Sequence, residues 1–325
     1  MEFEKLPTVP TADELLDRSL RRAAKKMREK ENKDRANEEF VRAVGQALHD
    51  RLVAIIQSFP EFESLPPFYR EMTEIMFGIE RMKIAFGALG WAAKQSKLIS
   101  AKLARETRKA ETSSVIRKRA VARLASVLHQ IEKELLFLNV VRNELRKLPH
   151  MEEGAFTIVV SGYPNVGKSS FIRLVSTAEP EIASYPFTTK GIIVGHRRIG
   201  RDKILIVDTP GILDRPAEER NPIERQALAA IMNVANVILF ILDASEQCGY
   251  SIEEQIRLLH EVEGMAASPV ITVVNKSDVK TMEGYPNMST GTNDGVPEVL
   301  ELLLSRRPAR QRSGLREPLP GQNPE

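Results

Sequence analysis

Hydrophobic positions follow two different periodicities along this chain of 325 residues. Up to residue 150, apolar residues recur every three or four positions, which is the spacing of amphipathic helices. After residue 150, runs of four to six consecutive apolar residues alternate with polar segments, a pattern typical of buried parallel strands. We therefore predict an all-α bundle over residues 1–150, then an α/β domain with a doubly wound, mostly parallel sheet over residues 151–306. Residues 307–325 are rich in Pro, Gly and Arg and are predicted to be disordered.

Three local patterns support the helical bundle. The segment Thr11-Ala12-Asp13-Glu14 is a capping-box start for a first helix. One apolar helical face is formed by Met72, Ile75, Met76, Ile79 and Phe86. A second pattern, with the alternating steps of a coiled coil, comprises Val121, Leu124, Leu128, Ile131, Leu135 and Leu138. Long helices with one apolar stripe each predict antiparallel packing.

The first predicted strand, residues 156–160, leads into a phosphate-binding loop. Residues 162–169 read Gly-Tyr-Pro-Asn-Val-Gly-Lys-Ser and match G-x-x-x-x-G-K-[ST], and residues 170–175 can continue as a helix. In that context backbone N–H groups and the helix N-terminus face the phosphates, Lys168 neutralises the β- and γ-phosphates, and the Ser169 hydroxyl ligates Mg²⁺. The predicted phosphate-binding residues are Asn165, Val166, Gly167, Lys168, Ser169 and Ser170.

The second strand, residues 204–207, ends in Asp208-Thr209-Pro210-Gly211. A carboxylate at a strand's C-terminal end lies at the ligand edge of a doubly wound sheet. We predict that Asp208 holds Mg²⁺ through a water and that the Gly211 amide faces the γ-phosphate. In the preceding segment, Thr189 is favoured over Thr188 to close the Mg²⁺ shell in the GTP state. The predicted metal ligands are Ser169, Thr189 and Asp208, and the predicted catalytic residues are Lys168, Thr189 and Gly211.

Two later motifs specify the base. A third strand, residues 237–242, precedes Asp243, and a fourth, residues 270–274, delivers Asn275-Lys276-Ser277-Asp278. The Asp278 carboxylate can accept hydrogen bonds from guanine N1–H and N2–H₂, a pair of donors that adenine lacks. Ser289-Thr290-Gly291 is predicted to be the last loop, with its backbone touching guanine O6. The predicted guanine-binding residues are Asn275, Lys276, Asp278, Ser289 and Thr290.

The hydrolytic group is less well defined. Ile212 stands where many GTPases carry a water-orienting glutamine, so catalysis rests on positioning, Mg²⁺ and a group supplied otherwise. We expect slow intrinsic turnover that a partner accelerates. Asn165 has two equally supported roles, holding a K⁺ ion near the phosphates or stabilising a turn. Three arginines after Gly211 can reach the phosphates but fit solvated charges better: Arg215, Arg220 and Arg225.

The balance of basic and acidic side chains differs between residues 1–150 and the rest of the chain. Residues 1–150 carry 29 basic and 21 acidic side chains, against 18 and 23 in the remainder. Basic residues concentrate between Lys94 and Arg123, where only Glu106 and Glu111 oppose them. They are Lys94, Lys97, Lys102, Arg105, Arg108, Lys109, Arg117, Lys118, Arg119 and Arg123. Such a patch can track an RNA backbone, although a solvated helix face or contact with an anionic membrane surface remains open.

The cysteine count and the lack of long apolar windows both indicate where in the cell the protein is located. Cys248 has no partner for a disulfide or a metal-binding cluster and is interpreted as structural, which fits a reducing cytoplasm. No window reaches the roughly 18 apolar residues of a membrane span. The N-terminus also lacks the features of a signal peptide. A cytoplasmic protein is therefore expected.

The phosphate loop, Pro186-Phe187-Thr188-Thr189-Lys190 and residues 208–214 resemble the Obg-related GTPases. Residues 220–227 (RNPIERQA) and 243–250 (DASEQCGY), with 3–10 and 65–69 in the N-terminal half, are similar to the nucleolar GTP-binding protein (Nog) family. The resemblance covers about 300 residues, and the short length suggests an archaeal form. It implies a GTPase that acts in assembly of the large ribosomal subunit, with a helical domain that contacts ribosomal RNA and a nucleotide state that times binding and release. The protein is expected to be a monomer.

One departure from the family pattern lies between Asp278 and Tyr285. Only about six residues separate them, too few for the helix that normally joins the last two strands of this fold. We predict that this helix is deleted, which puts in doubt any partner surface it carries elsewhere and predicts a looser base pocket. Two other functions stay open: a signalling or membrane-associated GTPase whose bundle binds protein or lipid, and a GTP-dependent structural switch with negligible hydrolysis.

Overall fold

The computed structural model describes residues 3, 5–28, 33–107, 113–152, 154–183, 185, 191–200, 202–208 and 222–308. These residues form two compact units. The first, called the helical unit, comprises the described residues within 1–153, 182–192 and 217–234. The second, called the sheet unit, comprises the described residues within 154–181, 193–216 and 235–325. Two segments from the C-terminal half of the sequence therefore belong to the helical unit.

The helices alternate with strands only after residue 150, as the periodicity predicts. In chain order they are α1 (Ala12–Arg28), α2 (Lys33–Ser58), α3 (Pro67–Phe77), α4 (Ile79–Thr107), α5 (Ser113–Gln130), α6 (Glu132–Leu145), α7 (Lys168–Val175), α8 (Pro222–Val234), α9 (Ile252–Met265) and α10 (Val296–Leu304). A short 3₁₀ helix spans Phe62–Ser64. Within the described residues, no helix combines the length and apolar character needed to cross a membrane.

Helix α1 begins at the capping box predicted from the sequence. The Glu14 amide donates to Thr11 Oγ1 at 3.3 Å, and the Thr11 amide donates to Glu14 Oε2 at 3.2 Å. Helices α2 and α4 form the most extensive contact of the helical unit. Gly45 of α2 makes their close approach possible, because a Cβ there would overlap the side chain of Ser100 and lie 2.8 Å from the carbonyl oxygen of Ser96.

Two of the predicted helical faces are interrupted. The face from Met72 to Phe86 was predicted on one helix, but Gly78 separates α3 from α4. Gly78 adopts φ 71° and ψ 116°, which a helix cannot contain. Glu74 Oε2 then accepts the first free amide of α4, that of Ile79, at 2.7 Å. The coiled-coil pattern is likewise divided between α5 and α6 at Ile131, with φ −106° and ψ 11°.

The sheet contains the four predicted strands and two that the sequence pattern did not reveal. The strands are β1 (Phe156–Ser161), β2 (Glu181–Ala183), β3 (Ile192–Ile199), β4 (Asp202–Asp208), β5 (Val237–Asp243) and β6 (Val270–Asn275). Their order is β2-β3-β4-β1-β5-β6. β1 pairs in parallel with β4 and β5, and β5 pairs in parallel with β6, whereas β3 is antiparallel to β4. The carboxyl ends of β1, β4, β5 and β6 therefore share one edge.

The connection after β6 confirms the predicted deletion. All of residues 222–308 are described, and no helix lies between Asn275 and the start of α10 at Val296. Instead the chain makes turns and two isolated bridges, Val274 with Asn287 and Ser289 with Asp294. The last strand of the expected fold is thereby reduced to single-residue pairings.

Candidate nucleotide site

The phosphate loop leaves the C-terminal end of β1 and enters α7. Gly162 has φ +134° and Gly167 has φ +105°, conformations that L side chains rarely adopt. A Cβ on Gly162 would lie 2.5 Å from the Ile241 carbonyl oxygen, and one on Gly167 would overlap the side-chain amide of Asn275. Both glycines are thus required by backbone angle and by close packing against neighbouring elements.

Lys168 and Ser169 occupy the first turn of α7. The Lys168 ammonium donates to the carbonyl oxygens of Gly162 at 2.7 Å and Tyr163 at 2.8 Å, so the phosphate loop surrounds it. The Ser169 hydroxyl donates to Asp208 Oδ2 at 2.8 Å. The structure therefore brings together Lys168, Ser169 and Asp208, which the sequence separates by up to 40 positions.

The oxygen ligands of this corner fit a magnesium ion. Mg²⁺ prefers hard oxygen donors such as hydroxyl and carboxylate groups, and it commonly bridges one or two protein oxygens to phosphates. Ser169 Oγ and Asp208 supply such oxygens, and Asp208 is fully buried at the end of β4. When bound, Mg²⁺ would neutralise charge on the phosphates beside Lys168.

Asn275 joins three segments at the end of β6. Its Nδ2 donates to the Val166 carbonyl oxygen at 2.7 Å and to Thr290 Oγ1 at 3.0 Å, and its Oδ1 accepts from the Thr290 amide at 2.9 Å. The phosphate loop and the Ser289-Thr290 loop are therefore both fixed to one buried amide. The sequence predicted that both loops serve the nucleotide, and the structure shows how they are held together.

The Asp278 carboxylate lies at the exposed rim of the same corner. Its Oδ1 accepts from the Ser289 hydroxyl at 2.6 Å, and Ser289 is buried. The Ser277 amide donates to the Met288 carbonyl oxygen at 3.1 Å, which ties the two segments along their backbones. The predicted base-reading carboxylate is thus oriented by the loop predicted to touch guanine O6.

Asp243 is a supporting residue that the sequence reasoning did not assign. Its fully buried carboxylate accepts from Lys276 Nζ at 2.6 Å and from the amides of Cys248 at 2.9 Å and Ser245 at 3.0 Å. Lys276 has φ +59°, an unusual angle for a side-chain-bearing residue. The ion pair therefore fixes a strained position within the guanine motif. The sequence did contain an indication of this role, because Asp243 ends a buried strand just as Asp208 does.

The carboxylate of Asp243 stays ionised well into the acidic range. Burial alone would raise its pKa, but hydrogen bonds from Lys276 and Ser245, together with the charge of Lys276, outweigh that effect and lower the pKa. Nearby, burial raises the pKa of the Cys248 thiol. Cys248 is buried with its sulfur close to the Gln255 side chain, in keeping with the structural role predicted for it.

Gln255 of α9 completes the support. It accepts from the Asp243 amide at 2.8 Å and donates to the carbonyl oxygens of Asp243 at 3.1 Å and Tyr250 at 3.0 Å. The Tyr250 ring stacks on that of Tyr163 in the phosphate loop, with centroids 4.0 Å apart. A continuous set of contacts thus connects the phosphate loop to the carboxylate that anchors Lys276.

Substituting Asp243→Asn should destabilise the protein by about 2 kcal/mol and weaken GTP binding several-fold, because Lys276 loses its buried counter-charge. The pKa of Asp243 is lowered on folding, so its contribution is complete above the usual carboxyl pKa near 4 and is lost as pH falls through the folded-state pKa. The measurement is thermal unfolding of both proteins between pH 3 and 8. Their difference should shrink only at the acidic end.

Asp202→Asn is the matched control for this prediction. Asp202 forms a partly exposed ion pair with Arg307 at 3.3 Å, and such pairs contribute at most about 1 kcal/mol. A stability difference between wild type and Asp243→Asn that is independent of pH would contradict the assigned role of the ion pair with Lys276.

Several predicted site residues lie outside the described part of the chain. They are Thr188, Thr189, Gly211, Ile212, Arg215 and Arg220. Their assigned roles stay predictions. Of the three arginines considered, Arg225 is described and is an exposed residue of α8, which agrees with a solvated charge.

A phosphate loop after β1, an aspartate at the end of β4 and a guanine motif that begins at the end of β6 define a GTPase of the P-loop class. The model of the NOG1 N-terminal helical domain matches residues 3–152, and the model of nucleolar GTP-binding protein 1 matches residues 222–278. The chain belongs to the nucleolar GTP-binding protein 1 family. This membership confirms the family resemblance inferred from the motifs.

The relatives differ in how much of their own length the chain spans. It is 45% identical over 288 residues to an uncharacterized protein of the archaeon Methanocaldococcus jannaschii, covering 85% of this chain and 81% of that protein. It is 34% identical over 339 residues to nucleolar GTP-binding protein 1 of Drosophila melanogaster, covering 94% of this chain but 52% of the relative. The chain therefore spans about half the length of such eukaryotic relatives.

A solved structure is also similar. The nucleolar GTP-binding protein 1 from Plasmodium falciparum is 35% identical, covers 49% of this chain and 89% of its own, and superposes with a TM-score of 0.44.

Proposed function

We propose that this protein is a GTP-hydrolysing assembly factor for the large ribosomal subunit, and that its nucleotide state times its association with ribosomal RNA. Family membership and the guanine-nucleotide corner of the sheet unit support the GTP-dependent part. The RNA-binding part of this proposal rests on one exposed face of helix α4. Mg²⁺ held by Ser169, Asp208 and Thr189 would serve the reaction, with K⁺ near Asn165 as a further ion.

The exposed face of α4 combines an apolar stripe with positive charge. Ile84, Trp91 and Leu98 are 58%, 41% and 63% exposed, and their seven-residue spacing places them on one side of the helix. Three exposed basic residues share that side. The α4 face is defined by Ile84, Trp91, Lys94, Leu98, Lys102 and Arg105.

Single-stranded RNA fits this face better than a membrane surface does. An exposed indole offers a stacking platform for an unpaired base, and the cations beyond it neutralise phosphates. From Trp91 to Arg105 the helix rises about 21 Å, which accommodates several nucleotides. A membrane-binding helix instead separates a broad apolar face from a charged face, whereas basic and apolar residues are interleaved here.

The near-total lack of opposing acids on this part of the helical unit supports the same partner. Among the described residues of the basic segment, the only acid is Glu106, which lies 3.8 Å from Arg119. Lys94, Lys97 and Lys102 are all exposed. The basic side chains are therefore available to neutralise an anionic ligand, and RNA binding should weaken as the salt concentration rises.

The test is co-sedimentation with large-subunit precursor particles. Wild type should be retained with a non-hydrolysable GTP analogue and released with GDP. Replacing Lys94, Lys102 and Arg105 together with glutamine should reduce retention at least about tenfold and lower the slope of log affinity against log salt by about 2. The matched control replaces Arg18, Arg22 and Lys25 of α1, which are equally exposed, and should leave retention unchanged.

Trp91 gives a direct second readout, because it is the only tryptophan in the chain. Its fluorescence should be quenched by a single-stranded RNA oligonucleotide, and the Lys94, Lys102 and Arg105 variant should require more RNA for the same quenching.

Equal retention of wild type and the α4 variant would contradict an RNA-binding role for the α4 face. Binding to anionic vesicles without retention on particles would favour the membrane-associated alternative.

A further inference from the structure

An open cavity of about 750 Å³ lies between helices α1, α2 and α5 of the helical unit. Its apolar walls are formed by Leu20, Ala24 and Met27 of α1 and by Val121 and Ala122 of α5, and Phe40 of α2 is the most deeply buried residue of the lining. The two alanines are too short to fill the space between the walls. A volume of this size is typical of ligand sites and exceeds the voids of a normally packed protein interior.

The α1 wall of the cavity has the spacing of a helix face that packs against a neighbour. Leu20, Ala24 and Met27 follow one another by four and three positions, so they share one face over about 10.5 Å of helix rise. All three are partly exposed, whereas Leu15 and Ala23 of the same helix are fully buried. Helix α1 therefore has a second apolar face, about two turns long, that the described part of the protein leaves uncovered.

Basic side chains border this cavity on two sides. Arg21 belongs to the α1 wall, whereas Arg117 and Lys118 belong to the α5 wall. Arg21 is largely exposed and lies 3.9 Å from Asp17, an i,i+4 contact that contributes little and can be exchanged for another acid. An apolar groove with cations on both sides is complementary to an apolar stripe that has carboxylates on both flanks.

Arg117 is held in place at the edge of the cavity. Its Nη1 donates to Asn37 Oδ1 of α2 at 3.1 Å and lies 3.5 Å from Met27 Sδ, and the guanidinium carbon lies over the Phe40 ring, 5.5 Å from its centroid. Asn37 is fixed in turn, because its Nδ2 donates to Ser113 Oγ at 2.8 Å. Both contacts of Arg117 use Nη1, so among the described residues Nε and Nη2 keep their N–H groups for a carboxylate. A carboxylate would meet a guanidinium that is already ordered, which lowers the entropy lost on binding.

We propose that this cavity is a docking site for an acidic amphipathic helix of a partner protein. In the helix-in-groove mode, apolar side chains at i, i+4 and i+7 enter a groove of about two turns and polar residues stay outside. The apolar side chains of the partner enter between α1 and α5, and acidic residues on its two flanks pair with Arg21, Arg117 and Lys118. The site lies wholly within the helical unit, and its role does not depend on GTP binding.

RNA and lipid are less complementary to this cavity. Unpaired bases need an exposed aromatic face for stacking, but Phe40 is 8% exposed and has Arg117 over its ring. A lipid with one acyl chain carries its charged group at one end, whereas the cations here lie on both walls. An amphipathic helix satisfies both the apolar lining and the distribution of charge.

Two segments of this protein are also poor occupants. Residues 309–325 contain three arginines and two glutamates, so their net charge has the same sign as that of the cavity border. Helix α9 is acidic, but it buries the apolar residues Leu258, Leu259 and Val262, so a second copy of the protein offers no free apolar face there. A separate partner therefore fits the site better than the protein itself does.

The test is binding of a fluorescein-labelled acidic peptide to the full chain, measured by fluorescence anisotropy. The peptide has about 18 residues, with leucines along one helical face and glutamates elsewhere. It should bind at least about tenfold more tightly than a scrambled peptide of the same composition. The same margin should separate it from a peptide in which lysine replaces every glutamate.

Filling the cavity is the decisive substitution. Ala24→Leu combined with Ala122→Leu places methyl groups in the empty space without removing a hydrogen bond, so the melting temperature should not fall. Affinity for the acidic peptide should fall at least about tenfold, because its leucines lose their site. Arg21→Gln combined with Lys118→Gln should weaken binding about threefold to tenfold. The matched control is Arg22→Gln combined with Lys25→Gln, two exposed residues of α1 outside the lining, which should change affinity by less than about twofold.

Several results would overturn the proposal. They are an absence of binding by the acidic peptide, equal binding of the acidic and lysine-containing peptides, and unchanged peptide affinity of the filled variant. A wild-type dimer that the filled variant cannot form would overturn it in favour of a second copy. Loss of particle retention or of vesicle binding by the filled variant, with peptide affinity unchanged, would overturn it in favour of RNA or lipid.

Discussion

Asp278→Asn should weaken binding of both GTP and GDP by about 10²- to 10⁴-fold. Two hydrogen bonds from guanine to a carboxylate are lost, and bonds to charged groups contribute about 1.5–3 kcal/mol each. The asparagine amide also presents a donor to the guanine amino group, which adds repulsion. Because the base is common to both nucleotides, the effect should be independent of the number of phosphates.

Xanthine nucleotides provide the control for base recognition. Xanthine carries a carbonyl oxygen at the position of the guanine amino group, so an asparagine at position 278 can donate to it and still accept from N1–H. Titration with guanosine and xanthosine triphosphates should show a reversed preference in the variant. Ser289→Ala, which removes the hydroxyl that donates to Asp278 Oδ1 at 2.6 Å, should cost about tenfold without reversing the preference. Unchanged GTP affinity of Asp278→Asn would refute the assignment of Asp278 to guanine.

Lys168→Ala should reduce GTP affinity and single-turnover hydrolysis by at least about 10²-fold each. Lys168 is 6% exposed, and its ammonium is held inside the phosphate loop by two carbonyl oxygens. Its removal deletes the charge predicted to neutralise the β- and γ-phosphates, and it leaves two loop carbonyls without their donor. The loss should be larger for GTP than for GDP, since GDP lacks the γ-phosphate.

Lys280→Ala is the appropriate comparison for this lysine. Lys280 is exposed and follows the guanine motif, so the same change in net charge should alter GTP affinity by less than about twofold. Nucleotide titration and single-turnover assays on both variants measure the two effects. Retention of normal hydrolysis by Lys168→Ala would contradict its catalytic assignment.

Local patterns were sufficient for much of the fold. The four apolar runs became β1, β4, β5 and β6 because a strand buried on both faces needs no alternation of polar residues. The Thr11–Glu14 capping box is likewise a local device, read directly from two residues three positions apart. The order of polar motifs at strand ends predicted which side chains would meet, since parallel strands place their carboxyl ends at one edge.

Other features depend on contacts that a single sequence does not reveal. Strand β3 contains Gly195, His196 and two arginines, so its pairing with β4 decides its structure rather than its own apolarity. Gly78 ends a helix whose apolar periodicity continues beyond it. The anchoring of Lys276 by Asp243 and of Tyr185 by Ala227 requires partners 33 and 42 positions away, which no periodicity encodes.

The shortened connection after β6 affects the entropic cost of holding the two base-recognition segments together. Asp278 and Ser289 are only 11 positions apart. Within this connection, the Val274 amide of β6 donates to the Pro286 carbonyl oxygen at 2.9 Å, and the Met288 amide donates to the Val274 carbonyl oxygen at 2.8 Å. Closing a loop costs about 0.6 kcal/mol more for each doubling of its length, so a helical insertion would raise the entropy of the separated state. The short connection therefore holds Asp278 beside Ser289 at a lower entropic cost, which opposes the looser base pocket predicted from the deletion, and the two residues can meet again within the time of local loop closure after a transient opening.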